Sequence, residues 1–149
     1  MKLKYPPFDG KSDRWTGWYQ NGKKKYEFRY EVPIKDLQLN GLFTSWYENG
    51  QKEWEETYKN GKPNGLLIYW YENGQKKREG TYKDGKKDGL WTGWYKNGQK
   101  SNEGTVKNGK EDGLWVGWYE NGQKEYEETI KDGEKISVKE WNEDGSIKE

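Results

Sequence analysis

GLWTGWYKNGQKSNEGTVKNGKEDG (Gly89–Gly113) is the unit this chain repeats, and nearly the same text returns before and after it. The Asn-Gly pairs set the ruler. Their glycines are Gly22, Gly50, Gly74, Gly98 and Gly122, with an Asp-Gly variant at Gly145, and the gaps are 28, 24, 24, 24 and 23 residues. A second turn keeps the same time, with Gly61, Gly85, Gly109 and Gly133 each 24 apart. Self-similarity at a fixed period of this size marks a repeat architecture.

The segments between turns run about six to eight residues and are rich in Trp, Tyr and Thr, which is strand length and strand composition. A glycine-bearing turn after every strand leaves no window for a helix of ordinary length. Asn-Gly between apolar runs is a strong hairpin signal, because a type I′ turn needs positive φ at both central residues. The turn at Lys83–Gly89 is expected to be longer, being polar with two glycines. The predicted fold is all-β: an elongated single-sheet array of antiparallel β-hairpins.

With Asn97-Gly98 as a two-residue loop, Gly93 faces Asn102 and Trp91 faces Gly104. Directly opposed residues share a sheet face. One face then carries Trp91, Gly93, Tyr95, Asn102, Gly104 and Val106; the other carries Leu90, Thr92, Trp94, Ser101, Glu103 and Thr105. A three-residue loop would flip the second strand's set. On the first face, glycines sit beside or opposite large rings, and a bare backbone lets a ring lie flat on it. This reads as the packed face. The second face carries Trp18, Trp46, Trp70, Trp94 and Trp118, each near a glutamate of the series Glu27, Glu55, Glu79, Glu103 and Glu127. Equivalent strands are two apart in a meander, so these indoles should recur roughly every 9.5 Å.

Ile, Leu, Val and Phe supply only 20 of 149 residues, but 10 Trp and 12 Tyr stand beside them. Each ring buries roughly 150–250 Å², so rings can replace the missing aliphatics in a thin sheet. The absence of Cys and His excludes disulfides, thiolate chemistry, zinc sites of the usual type and Ser-His or Cys-His catalytic pairs. The acids show no pairing that separates a glycosidase dyad from a cross-strand Glu–Lys ladder. No enzyme activity, metal or cofactor is expected. With 27 basic and 26 acidic residues there is no electrostatic case for nucleic acid. Lysine clusters such as Lys23–Lys25 lie in or beside turns with equal acid around them, which reads as solvated turns rather than a membrane contact. A cytoplasmic location is the expectation, since the start resembles no signal peptide.

The whole chain reads as one domain (1–149): a lead-in at 1–13, repeats at about 14–136 with an insertion at 31–40, and a C-terminal cap at 137–149. The insertion holds Pro33 among Val32, Ile34, Leu37 and Leu39. It fits an extended loop capping the sheet end, or a contact loop on a binding face.

The Trp91-Thr-Gly-Trp-Tyr95 core has the aromatic-x-Gly-x-aromatic spacing of MORN repeats. The fuller text, with Asn-Gly-Gln-Lys and then Glu-Gly-Thr-x-Lys-x-Gly-Lys, resembles the bacterial MORN variant over about residues 8–145. That variant is similar to repeats in a family of toxin–antitoxin antitoxins or immunity proteins, and other MORN proteins are linked to membranes and scaffolding. The resemblance implies a hairpin array and a protein partner, with a toxin as one candidate. There are departures: Ser45 and Tyr69 replace the central glycine, and Glu56 and Glu128 replace the Gly104 equivalent.

Periodic Trp and Tyr on a rigid face favour protein binding, since such rings are common anchors of binding hot spots. The candidate contact residues are Trp18, Trp46, Trp70, Trp94 and Trp118, with Glu79 and Glu103. The alternatives are a small-ligand or glycan reader, from a faint resemblance to choline-binding repeats, and a membrane-associated scaffold. A terminal strand would also leave an edge open to edge-to-edge pairing of two copies.

Overall fold

A computed structural model describes residues 14–29 and 39–148. The lead-in and residues 31–38 of the insertion lie outside the described residues. The described residues contain no helix and form one antiparallel sheet. Its strands are β1 (Arg14–Trp18), β2 (Lys24–Arg29), β3 (Gly41–Trp46), β4 (Lys52–Lys59), β5 (Lys62–Trp70), β6 (Lys76–Lys83), β7 (Lys86–Lys87), β8 (Gly89–Trp94), β9 (Lys100–Lys107), β10 (Lys110–Trp118), β11 (Lys124–Lys131) and β12 (Glu134–Glu140). They lie in chain order, with the short β7 paired to β6 ahead of β8. The sheet is open, ending at β1 and β12.

The two turn types are the reverse of the sequence expectation. At Asn97-Gly98, Tyr95 N–H donates to the Gln99 carbonyl at 2.8 Å and Gly98 N–H donates to the Tyr95 carbonyl at 3.0 Å. Gly98 has φ 87° and Asn97 is not left-handed, so the loop is Lys96-Asn97-Gly98, three residues long. The tight turn is the other one. Asp84 (φ 51°) and Gly85 (φ 82°) are both left-handed, and Lys83 pairs directly with Lys86. This is the type I′ geometry. It recurs at Asn60, Asn108 and Asp132, each with positive φ.

A three-residue loop should flip β9 relative to β8, yet Gly93 pairs with Asn102 and Trp91 with Gly104, as the two-residue reading required. A bulge restores the register. Trp94 pairs with Lys100, and the shift falls between Gly93 and Trp94, so Ser101 is the extra residue. The same shift occurs at Gly17/Trp18, Ser45/Trp46, Tyr69/Trp70 and Gly117/Trp118.

The first face is packed as expected, by rings on bare backbone. A Cβ placed on Gly80 would fall 2.2 Å from Trp91 Cδ2, and one on Gly104 would fall 2.0 Å from Trp115 Cδ2. Tyr26 covers Gly17 and Tyr126 covers Gly117 in the same way. Toward β1 the rings stack on one another: Phe28 on Phe43 at 5.2 Å between centroids, Phe43 on Trp54 at 4.4 Å, and Trp54 on Tyr69 at 6.1 Å. Aliphatics take a larger share of the buried set than composition suggested. Leu67, Val106 and Ile130 are buried with Phe28 and Trp91. Glu56 lies on this face between Phe43 and Leu67 and is buried. Burial raises its carboxyl pKa, and the Tyr58 hydroxyl bond opposes that rise.

Both long edges are stitched from unit to unit. On the wide-turn edge, Tyr71 Oη donates to the Trp94 carbonyl and Tyr95 Oη to the Trp118 carbonyl, at 2.8 and 2.6 Å. Asn73 Nδ2 donates to the Lys96 carbonyl at 2.9 Å. On the tight-turn edge, Gly85 N–H donates to the Pro63 carbonyl and Gly109 N–H to the Lys87 carbonyl, both at 2.8 Å. Asn108 N–H donates to Asp88 Oδ2 at 3.1 Å. Each turn is thus held by its predecessor, which fixes the stacking distance of the repeats.

Candidate binding surface

The bulge builds a recurring three-residue site on the second face. The three-residue loop makes Lys100 the partner of Trp94, and the bulge at Ser101 returns Glu103 to the same face, where an unbroken ladder would set it opposite Trp91 on the packed face. Its Nζ reaches Glu103 at 2.6 Å and lies 5.9 Å from the Trp118 ring centroid of the next unit. The arrangement repeats along the sheet. Lys24 pairs Glu27 and lies over Trp46, Lys52 pairs Glu55 and lies over Trp70, and Lys76 pairs Glu79 and lies over Trp94. Lys124 closes the series between Glu127 and Trp141. The Lys100 bond, with a second from Thr92 Oγ1 at 3.0 Å, holds the Glu103 carboxyl below the usual carboxylate range.

The candidate contact residues therefore have defined places. Trp46, Trp70, Trp94 and Trp118 are half-buried, each with a lysine of the preceding unit against its ring. Trp18, first in the row, is 61 % exposed. Glu79 and Glu103 hold those lysines in place rather than standing free. The four covered indoles already carry a cation at the distance where a quaternary ammonium would bind, so such a ligand would have to displace a lysine.

The same face carries a second row. Leu42, Leu66, Leu90 and Leu114 are 40, 45, 57 and 54 % exposed. They pair with Thr57, Thr81, Thr105 and Thr129, so they align across the sheet. Residues two strands apart stand roughly 9.5 Å apart. Sequence reasoning placed Leu90 on this face but did not single out the row. The signal was one leucine per unit at 24-residue steps.

These features recur in phase with a known repeat. The MORN repeat variant matches residues 39–60, 63–84, 87–108 and 111–132. The chain belongs to that family. Each matched MORN unit ends at the left-handed residue of a tight turn: Asn60, Asp84, Asn108 or Asp132. The MORN assignment describes a repeat module of a generally non-catalytic fold, of a kind that meets proteins or membranes. No curated protein matches the chain.

Proposed function

We propose that this MORN protein is a non-enzymatic protein-binding module of the inhibitor (antitoxin or immunity) type. In this reading it meets its partner along the face shared by the leucine and tryptophan rows. The observation that carries it is the exposed leucine row, Leu42 to Leu114, evenly spaced and bordered by indoles. Contiguous apolar exposure rimmed by polar groups marks interaction surfaces. The hydrogen bonds that stack the units make that surface rigid, which lowers the entropy cost of docking. The lysine-covered Trp46, Trp70, Trp94 and Trp118 would border the contact, and Trp18 would meet the partner directly.

The test is co-purification with the product of a gene adjacent to its own. Leu66→Lys with Leu90→Lys should abolish capture while leaving circular dichroism and thermal unfolding unchanged, because both side chains are solvent-exposed. Capture that survives this double change, with Trp18→Ala added, would remove the second face from the account.

A further inference from the structure

We propose that the packed face holds a ligand site of its own, a recess that takes a planar aromatic group bearing a carboxylate. The recess exists because one row of rings is interrupted. Across the sheet, Gly17 faces Tyr26, Ser45 faces Trp54 and Gly117 faces Tyr126. In the units between, Tyr69 faces Arg78 and Gly93 faces Asn102. Arg78 in turn faces Gly93, and Asn102 faces Gly117, so the row runs from Tyr69 to Tyr126 without a ring. At about 4.8 Å per strand that gap spans on the order of 24 Å.

At Asn102 a small amide stands where three other units place a ring. A Cβ on Gly93 would fall 2.6 Å from Asn102 Oδ1, so the Asn102 amide lies on the bare backbone as Tyr126 lies on Gly117. The missing bulk leaves a recess of about 420 Å³ bordered by Tyr69, Tyr71, Lys77, Arg78, Ser101 and Asn102. That volume falls in the range of small-ligand sites.

The lining sets the chemistry. Two cations border the recess and no carboxylate does. Lys77 Nζ lies 5.6 Å from the Tyr71 ring centroid. Arg78 is exposed and makes no ion pair among the described residues. Lys24, Lys52, Lys76, Lys100 and Lys124 of the opposite face, by contrast, are each matched to a glutamate. A guanidinium is planar, stacks on rings and grips a carboxylate with two parallel bonds. An aromatic ring in the row gap would continue the stack beyond Tyr69, itself 37 % exposed, with its carboxylate turned to Arg78. Such a group is either a free aromatic acid or an aromatic residue at the C-terminus of a polypeptide. The site lies on the face opposite the leucine row and stands or falls apart from it.

The experiment is titration of the full chain, followed by ¹⁵N–¹H NMR at the Gly93 and Ser101 amides and the Asn102 side chain. The probes are 4-hydroxybenzoate for the free acid, N-acetyltryptophan for the chain terminus, and N-acetyltryptophanamide as the uncharged control. At least one acid should give saturable shifts confined to these residues, and the tighter acid identifies the source. The amide should bind roughly tenfold more weakly, the difference expected for a charge-assisted bond. Arg78→Gln should weaken the acid by a similar factor. Asn102→Tyr, which rebuilds the rung that Tyr126 forms, should abolish binding without lowering the thermal midpoint. Absence of localised shifts with both acids, equal binding of acid and amide, or binding retained in both variants would overturn the proposal.

Discussion

Gly80→Ala puts one methyl group under the best-buried indole of the sheet. Trp91 is 4 % exposed, its ring resting on Gly80 and Lys87 Nζ 4.4 Å from its centroid. The new Cβ would fall 2.2 Å from Trp91 Cδ2 and 2.4 Å from Cε2. Carbon atoms rest at about 3.5 Å, so the ring must rise by roughly 1.3 Å. A buried indole removes about 150–250 Å² from water, which at about 25 cal/mol per Å² stabilises the fold by about 4–6 kcal/mol. Lifting it off the backbone forfeits up to half of that. Alanine returns about 0.5–1 kcal/mol, because glycine loses more freedom in a strand. The net cost is about 2 kcal/mol, a urea midpoint lower by about 1 M. The Trp91→Val background reverses the sign: with no ring to lift, Gly80→Ala should stabilise by about 0.5–1 kcal/mol. The assay is urea unfolding of the four proteins followed by circular dichroism. A Gly80→Ala effect of the same sign and size in both backgrounds would show that the Trp91 ring does not rest on Gly80.

Three further outcomes follow from the same geometry. Glu56→Gln should raise the thermal midpoint at pH 7 and lose that advantage toward pH 4. Burial raises the native Glu56 pKa, so this carboxyl favours the folded state at acid pH and that contribution fades as pH rises through the native value. Lys100→Gln should cost about 1 kcal/mol from one half-exposed ion pair and one cation–π contact, and about half of that should vanish in 1 M salt, read by thermal melts at two ionic strengths. Asn108→Ala, at φ 52°, should cost about 1–2 kcal/mol, while Asn108→Gly should be close to neutral, checked by urea midpoints.

The fold was legible because the repeat aligns equivalent residues, so ring and glycine positions could be read against one another. The turns were not, since Asn-Gly and Asp-Gly occur in both kinds. What separates them is context. The wide turn follows Trp-Tyr, whose Tyr95 N–H is committed to Gln99, while the tight turn is flanked by paired lysines such as Lys83 and Lys86. The face assignment of Gly93 and Asn102 held because the longer loop and the Ser101 bulge shift register in opposite senses. Sequence alternation cannot show a bulge, so it could not bring Lys100 beside Glu103 and under Trp118. The Trp row was visible, its lysine cover was not. The leucine row lay in plain text, but its exposure depends on nothing packing over the second face.

Ring placement over glycine is most directly read from the Hα shifts of Gly80 and Gly104. A proton held against the face of an indole is shielded by the ring current. One Hα of each glycine should be displaced strongly upfield, and the displacement should be lost at Gly80 in Trp91→Val and at Gly104 in Trp115→Val. Hα shifts at ordinary strand values in the intact chain would contradict that placement.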